Sequence, residues 1–442
     1  MDWTKLPDLA AVALLTCAFA SVARRGQMAV SGLWLTGWLL IDLHFLMSIL
    51  VPLPGWMGEL AGFIGISALA WGGLIFSWSC VPYRKQSSSP LMVCVLLGTI
   101  TLYVGLLFFG PAASWALIPS AALIGIGPLA VTVLTLGRVV HRIRWMLVCV
   151  YCALALFLLA VQNRPDHGTV LALNGVFLAV YLACFLHFWM VYRASTTGAL
   201  IAIAGFFAWA SIFIASPAFG MLMPQLHIEQ EVWNLPKYVV AVGMILLLLE
   251  HQIEHNKFLA LHDELTGLPN RRLFEDRLAG ALARARRTGT QAALMLVDLD
   301  HFKQVNDTFG HHVGDQLLRQ VAAAFSRRVR RIDTVARTGG DEFSIILEEP
   351  TTREDAGSVG RSLMELLREP IKVGDHIVQV GASVGIAVFP QDASSTEALR
   401  IAADRRMYED KNKSRRTGSG GSSPLPSSDS LPAGDEQQKI RA

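Results

Sequence analysis

Charged residues are scarce in this chain of 442 residues. They make up 17% of the sequence, against 52% for hydrophobic residues, and the mean hydropathy is +0.43. A soluble enzyme of this length carries more charge, so the composition predicts an integral membrane protein. The formal net charge of +3 averages over two unlike halves of the chain and gives no support for nucleic-acid binding.

Cysteine is also rare, and every cysteine lies in the apolar N-terminal half. We expect these residues to be buried or lipid-facing, in preference to forming disulfides. Cys149 and Cys152 have the spacing of a redox motif, but a single pair of cysteines inside an apolar run is a weak signal. The six cysteines are Cys17, Cys80, Cys94, Cys149, Cys152 and Cys184.

Residues 1–250 contain about nine apolar stretches, each close to the roughly 20 residues that cross a bilayer. Lys and Arg collect in every second loop between these stretches. The positive-inside rule therefore places the N-terminus outside and the segment after Glu250 in the cytoplasm. The stretches lie near 7–23, 28–50, 60–81, 91–110, 112–136, 145–161, 170–192, 199–216 and 232–250.

Two alternatives concern the ends of this region. Polar residues and a proline interrupt the stretch 232–250, and an eight-span protein would place the C-terminal half on the other side of the membrane unless a second span were also lost. The run 18–20 resembles a signal-peptide cleavage site. Arg24 and Arg25 follow the first apolar run instead of preceding it, which favours a retained span.

Four histidines have alternative interpretations. His44 and His187 lie in predicted spans, each within a His-Phe-x-Met pattern, so a haem or copper site competes with chance recurrence. The linker 251–262 continues helically and is expected to pair with its copy in a dimer. His251 and His255 on this linker have the spacing of two metal ligands, although a solvated helix exit with mixed charges is the preferred interpretation.

From residue 263 the composition is that of a soluble α/β domain, and the tail 417–442 is rich in Ser, Gly and Pro, which predicts disorder. Strands and helices mix without a regular βαβ repeat, so we expect an α+β, palm-like sheet. A two-residue turn at Gly339 and Gly340, of a type with positive φ, should close one hairpin. The predicted helices are 273–287, 313–330, 354–368 and 396–413, and the strands are 292–297, 335–337, 343–347 and a pair within 371–388.

Two acidic clusters in this domain suggest its chemistry. Asp298 closes an apolar strand, and Asp341 and Glu342 follow the Gly-Gly turn. Carboxylates brought together in this way hold a divalent metal at a triphosphate. Because the sequence has neither a GxxxxGK[ST] loop nor a GxGxxG loop after a strand, metal, loop amides and isolated basic residues must hold the phosphates.

Several motifs in order give a resemblance to a known family. They are Asp-x-Leu-Thr-Gly-Leu-Pro-Asn-Arg at 263–271, Asp-Leu-Asp-His-Phe-Lys at 298–303 and Gly-Gly-Asp-Glu-Phe at 339–343. Residues 263–416 resemble a GGDEF domain, the family of diguanylate cyclases. The resemblance implies a palm-like α+β domain with a central, mainly antiparallel sheet. It also implies that two GTP molecules are joined into cyclic di-GMP, with release of two pyrophosphates, in a homodimer that holds one GTP in each domain.

The resemblance also implies roles for single residues. Asp298, the carbonyl of Leu299 and Asp341 would bind Mg²⁺, and Glu342 would help with the metal or with deprotonation of the attacking hydroxyl. Asn306 and Asp315 would read the guanine edge, since a carboxylate accepts from the guanine N1 and N2 donors. A helix N-cap is the alternative role for Asp315. The remaining substrate-binding residues would be Phe302, Lys303, Gly339, Gly340, Lys411 and Arg415.

A second site lies just upstream of the Gly-Gly turn. Arg330 and Asp333 form an Arg-x-x-Asp pattern, with five residues between Asp333 and Gly339, which is the spacing of the family's inhibitory site. Arginine can bind phosphate and guanine in bidentate fashion, and Asp333 would accept from guanine, so this site would bind the product cyclic di-GMP. Arg361 would contribute from another surface.

The last motif departs from the family pattern. Arg406 and Asp410 stand where the family usually has alanine, and Ser414 stands in place of glycine. These changes bear on how the last helix docks, and therefore on turnover.

The leading hypothesis is a diguanylate cyclase in a bacterial inner membrane, with a sensor domain at 1–250 that responds to an unknown membrane signal and a cytoplasmic GGDEF domain. One alternative is a catalytically weak or inactive receptor that binds GTP or cyclic di-GMP. Another is a transporter with a regulatory domain. The intact pair Asp341 and Glu342 favours the enzyme, because a receptor needs no metal ligands.

Overall fold

The structure is a computed structural model in which the chain forms two compact units, Met1–His255 and Asn256–Ala442. The residues that it describes are 1–25, 28, 30–80, 88–110, 114–135, 142–161, 168–193, 195–223, 225, 230–349 and 352–418. Within these ranges the side chains of 25, 88, 89, 114, 143, 230 and 414–418 are not described. The predicted disordered tail beyond 418 lies outside the described residues.

Nine helices in the described part of the first unit are long and apolar enough to cross a membrane. They carry the nine predicted stretches, and each is apolar around most of its circumference, as expected for helices packed against each other and against lipid. The helices are α1 Leu6–Arg25, α2 Ser31–Leu50, α3 Trp56–Ser79, α4 Ser88–Phe109, α5 Leu117–Leu134, α6 Arg142–Val161, α7 Gly168–Tyr192, α8 Thr197–Leu222 and α9 Gln230–Leu261.

The ninth helix is continuous because its polar residues find partners on the first helix. Asn234 donates to Oδ2 of Asp8 over 2.6 Å, and the hydroxyl of Tyr238 donates to Oδ1 of the same carboxylate, also over 2.6 Å. Lys237 donates to the side-chain oxygen of Asn234, and its ammonium lies 4.7 Å from the centre of the Phe45 ring. This buried network gives the polar residues of α9 hydrogen-bonding partners inside the helical unit.

The two histidines in the His-Phe-x-Met patterns have separate local partners. Nδ1 of His44 is 2.9 Å from the carbonyl of Gly65, and Nδ1 of His187 is 2.7 Å from the hydroxyl of Ser77. Among the described residues, no group of three or more His, Cys, Asp or Glu side chains is arranged to hold a metal ion. The alternative of a haem or copper site therefore gains no support from this unit. All six cysteines are free thiols.

The second unit is built on an antiparallel sheet with the strand order β2-β3-β1-β6. Its central strand is apolar on both faces because helices cover both. Met295 and Val297 pack on one face of the sheet, in the core that α12 and α13 cover. Leu294 packs on the other face, in the core that α10 and α14 cover. The strands are β1 Ala292–Asp300, β2 Thr334–Arg337, β3 Glu342–Glu348, β4 Ile371–Val373, β5 His376–Val378 and β6 Gly381–Phe389. The helices are α10 Arg271–Thr288, α11 Phe302–Phe309, α12 His311–Arg328, α13 Arg353–Arg368 and α14 Thr396–Gly418.

The palm-like α+β prediction is confirmed, but one part of the strand prediction was wrong. The region 371–388 does not form a single strand pair. β4 and β5 form a separate hairpin that turns at Gly374, where φ is 58°, and β6 pairs with β1 at the edge of the main sheet. The chain leaves the small hairpin and joins the sheet because residues 382–389 are largely apolar and reach the core.

Candidate active site

The two acidic clusters meet at one end of the sheet. Asp298 near the end of β1 is paired in register with Glu342 at the start of β3. The amide of Leu299 donates to the main-chain carbonyl of Asp341 over 3.2 Å, which fixes the turn against the end of β1. The strand pairing therefore brings together all four residues that were expected to bind metal or to act in catalysis.

The turn between β2 and β3 is not the predicted two-residue turn. The amide of Thr338 still donates to the carbonyl of Glu342 over 3.0 Å, so three residues form the tip, and neither Gly339 nor Gly340 has a positive φ. A Cβ at Gly339 would lie 2.6 Å from Oε2 of Glu342, which is the end of an exposed, flexible side chain and could move aside. A Cβ at Gly340 would meet only open space, which leaves this side of the turn accessible.

An arginine holds this turn from behind. Nη1 of Arg337 lies 3.0 Å and 3.1 Å from the two carboxylate oxygens of Asp263, and its Nη2 donates to the carbonyl of Gly340 over 2.7 Å. Burial alone would raise the pKa of Asp263, but hydrogen bonds from Thr266 and Arg337 bring this pKa below its ordinary value. This pair was not predicted from the sequence, where its signal was an arginine just before Gly-Gly and the first Asp of the Asp-x-Leu-Thr motif.

The residues at the end of β1 fit a magnesium ion by the chemistry of their donors. Asp298 and Asp341 offer carboxylates and Leu299 offers a carbonyl, and oxygen ligands of this kind are the ones that Mg²⁺ prefers.

Lys411 reaches the same place from the last helix. Its Nζ donates to Oδ1 of Asp298 over 2.7 Å, although 113 residues separate the two in sequence. The Asp298 side chain is only 11% exposed, so the lysine neutralises a carboxylate that is largely removed from water. An ion bound at Asp298 either shares the carboxylate with Lys411 or displaces the ammonium group. The side chain of Arg415, which follows on α14, lies outside the described residues.

The residues expected to read guanine lie where α11 meets α12. A Cβ on Gly314 would overlap Oδ1 of Asn306 and would lie 3.2 Å from Cζ of Phe302, so the glycine makes room for both side chains. Oδ1 of Asn306 is buried and has no hydrogen-bond partner among the described residues. A buried acceptor without a donor is the kind of group that a ligand would satisfy.

Asp315 is half-buried in the first part of α12. The N-cap of that helix is Gly310, with φ of 84°, and not Asp315, so the alternative capping role for Asp315 was wrong. Lys303 is exposed on α11. The structure thus places Asn306 and Asp315 on adjoining helices and leaves the side chain of Lys303 exposed to solvent.

The Arg-x-x-Asp segment forms the turn that precedes β2. Both carboxylate oxygens of Asp333 accept main-chain amides, one from Arg330 over 2.8 Å and one from Glu348 over 3.0 Å. The Arg330 side chain is exposed. Hydrogen bonds from Thr352 lower the pKa of Asp355 at the start of α13, and the charge of Arg330 acts in the same direction. Arg361 is exposed on the same helix α13.

Comparison with known proteins decides the family. The family described as "Diguanylate cyclase, GGDEF domain" matches residues 260–417. This part of the chain belongs to the GGDEF family. The match begins at the end of α9 and ends within α14, so the sheet and all the candidate site residues described above lie inside the GGDEF domain.

Two similar proteins come from Pseudomonas aeruginosa. The bifunctional diguanylate cyclase/cyclic di-GMP phosphodiesterase MucR is 39% identical over 194 residues, which cover 40% of this chain and 28% of MucR. The diguanylate cyclase TpbB is 38% identical over 157 residues, which cover 35% of this chain and 36% of TpbB. A solved structure of the TpbB GGDEF domain alone is 38% identical, covers 34% of this chain and 89% of that one, and has a TM-score of 0.34. The chain therefore spans about a third of the length of these curated relatives.

Proposed function

We propose that the chain is a membrane-bound diguanylate cyclase that condenses two GTP molecules into cyclic di-GMP and two pyrophosphates. The observation that carries the proposal is the meeting of Asp298, Asp341 and Glu342 at one end of the GGDEF sheet, with Lys411 on Asp298. Carboxylates for metal and a lysine for phosphate are what a nucleotidyl transfer without a phosphate loop requires.

Diguanylate cyclases of the GGDEF family generally use a divalent metal, and we propose Mg²⁺ held by Asp298, the carbonyl of Leu299 and Asp341. When bound, the ion would offset the negative charge of the triphosphate and favour loss of the proton from the attacking 3′-hydroxyl. Glu342 at the start of β3 is exposed, which suits a group that accepts a proton from an incoming hydroxyl. A cavity of about 270 Å³ lies beside Glu342.

The remaining residues would select and orient GTP. The unpaired oxygen of Asn306 would accept from a guanine donor, and Asp315 would accept from N1 and N2, which adenine cannot supply in the same pattern. Cζ of Phe302 lies beside Gly314, as the side-chain oxygen of Asn306 does, so Phe302 would line the same pocket. Lys303, Lys411, Arg415 and the open face of Gly339 and Gly340 would meet the phosphates.

The reaction needs two domains, because each domain holds one GTP and the 3′-hydroxyl of one nucleotide attacks the α-phosphorus of the other. Pyrophosphate leaves at each of the two steps. We therefore propose that the chain acts as a homodimer, with its nine apolar helices in a bacterial inner membrane and the GGDEF domain in the cytoplasm. A signal received by the membrane helices would then control how two GGDEF domains meet.

We further propose that cyclic di-GMP inhibits its own synthesis by binding at Arg330, with help from Arg361. An exposed guanidinium suits bidentate binding of phosphate or guanine. Asp333 fits a supporting role, since its carboxylate already orders the turn that presents Arg330.

The full chain in detergent, given GTP and Mg²⁺, tests the function. We expect one cyclic di-GMP, identified by mass, for every two pyrophosphates released, and none when EDTA is present in excess over Mg²⁺. Binding of GTP without pyrophosphate release by a demonstrably dimeric sample would contradict the enzyme and would favour the receptor.

A further inference from the structure

The outer edge of β6 is closed by side chains and not by another strand. β6 is the last strand of the main sheet, so alternate main-chain groups face away from β1. The amide of Val384 donates to Oδ2 of Asp410 over 3.0 Å, and the carbonyl of Ile386 accepts from Nη1 of Arg406 over 2.6 Å. An edge that would otherwise expose unpaired groups is thus covered by the last helix.

A third group on this edge is covered by a carboxylate that Arg406 holds in place. The amide of Val388 donates to Oδ2 of Asp392 over 2.7 Å. Arg406 forms a fork with that carboxylate, with Nη1 at 2.7 Å and Nη2 at 2.8 Å, and Arg353 of α13 donates to it as well. Arg406 therefore donates hydrogen bonds both to the main chain of β6 and to Asp392, the residue that accepts from the Val388 amide.

The last helix lies directly on the strand at this point. A Cβ on Gly385 would overlap the carbonyl of Ala403 and would lie 2.8 Å from Cβ of Met407. Arg406 and Asp410 are one helical turn apart and so project on the same side of α14. These two contacts fix both the rotation of the helix and its position along β6.

We propose that Arg406 and Asp410 are positioning residues that set α14 on the edge of β6 so that Lys411 reaches Asp298. Lys411 is the next residue after Asp410, so the position of Asp410 along β6 also sets that of Lys411. Charged contacts with main-chain groups of β6 thus define the register of the helix in this chain. The inference rests on the proposed function, because it gives Lys411 its role at the nucleotide.

The test uses alanine variants of the full chain with matched controls on the same helix. Asp410→Ala and Arg406→Ala remove the contacts with β6. Arg405→Ala and Glu409→Ala remove only an exposed ion pair, in which Nε of Arg405 lies 3.2 Å from Oε1 of Glu409. Asp410→Asn is the conservative variant, because its amide oxygen can still accept from the amide of Val384.

We expect Asp410→Ala and Arg406→Ala to raise the KM for GTP about tenfold, with a smaller change in kcat, and we expect the two controls to match the wild type. Asp410→Asn should restore most of the lost affinity. In a Lys411→Met background, Asp410→Ala should raise the KM no further, because the residue it positions is gone. The melting temperature of each variant, measured in parallel, separates positioning from folding.

The proposal is overturned if Asp410→Ala lowers the melting temperature and leaves the KM unchanged, or if its effect on the KM persists in full in the Lys411→Met background. Should the wild type make no cyclic di-GMP, the proposed function fails on its own. The Kd for GTP in the presence of Mg²⁺ then tests the positioning: a rise of about tenfold in Asp410→Ala supports it, and an unchanged Kd overturns it.

Discussion

Nζ of Lys411 lies 2.7 Å from Oδ1 of Asp298, so the last helix of the GGDEF domain contacts a carboxylate near the end of its first strand. The two side chains are 31% and 11% exposed, which places the pair in a partly desolvated position where charge interactions are stronger than at the surface. The contact joins α14 to a carboxylate that we propose binds metal, through a lysine that we propose binds phosphate.

Replacing Lys411 with Met should weaken the binding of GTP and strengthen the binding of metal. The KM for GTP should rise about tenfold, because a charge-assisted bond to phosphate is lost. Without nucleotide, Mn²⁺ should bind several-fold more tightly, since an ammonium no longer competes at Asp298. Steady-state kinetics and paramagnetic resonance measure the two effects, with Lys372→Met on β4 as the control. Weaker Mn²⁺ binding in Lys411→Met would contradict the shared carboxylate.

Asp315 should determine recognition of the guanine amino group. GTP and inosine triphosphate differ only in this group, so the ratio of their kcat/KM values isolates the contact. We expect the wild type to prefer GTP by about tenfold to a hundredfold and Asp315→Ala to lose most of that preference, because a carboxylate that reads a donor discriminates against its absence. Asp307→Ala, an exposed carboxylate on α11, serves as the control. A preference retained in Asp315→Ala would assign guanine recognition elsewhere.

Arg330 is the residue with which to test product inhibition. We expect Arg330→Ala to raise the cyclic di-GMP concentration for half inhibition at least tenfold and to leave the initial rate unchanged. Arg331→Ala, the exposed neighbour, should behave as the wild type does. Replacing Asp333 would not test the site, because its two carboxylate oxygens accept from main-chain amides and its loss would disturb the turn. An identical inhibition curve in Arg330→Ala would rule out the site.

Asp392 should make the stability of the GGDEF domain depend on pH below about pH 4. Hydrogen bonds from Arg406 hold its pKa well below the ordinary value, despite burial that acts in the opposite direction. A carboxyl with a lowered folded-state pKa stabilises the fold above its unfolded pKa of about 3.9, and this contribution is lost as pH falls towards the folded pKa.

Asp392→Asn should therefore be less stable than the wild type at pH 7, by about 2 kcal/mol or about 4–8 °C in melting temperature. The difference should persist down to about pH 4 and shrink below it. Calorimetry of the full chain in detergent across pH measures this, with Asp375→Asn at the exposed turn between β4 and β5 as the control. A difference that is constant at every pH would show that Asp392 acts through packing and not through charge.

Local pattern predicted much of the fold. The nine apolar stretches, the long helices of the second unit and the strands at 292–297 and 343–347 all follow from periodicity and length. The placement of Asp298 beside Glu342 also follows, once the two strands are paired. The small hairpin at β4 and β5 was not predicted, because which short apolar segment joins the main sheet depends on packing that the sequence does not display.

Contacts between distant residues were not predicted from the sequence. Arg337 and Asp263 are 74 residues apart, and Lys411 and Asp298 are 113 apart, so each pair depends on the completed sheet and its covering helices. The turn type at Gly339 and Gly340 was also wrong, because three residues form the tip and neither glycine has a positive φ. Arg406 and Asp410 were noted as departures from the family pattern, but their bonds to β6 required the structure.

The most direct measurement is the rate at which the full chain forms cyclic di-GMP, identified by its mass, from GTP and Mg²⁺. It compares two variants that each lose a carboxylate, one at each end of β3. Glu342→Gln alters the candidate site, whereas Glu348→Gln alters the opposite end of the strand, where Glu348 pairs with Arg284. We expect the wild type and Glu348→Gln to form cyclic di-GMP and Glu342→Gln to be slower by a factor of about a hundred or more, at an unchanged melting temperature. Equal rates for Glu342→Gln and the wild type, or no cyclic di-GMP from any of the three, would contradict the proposed active site.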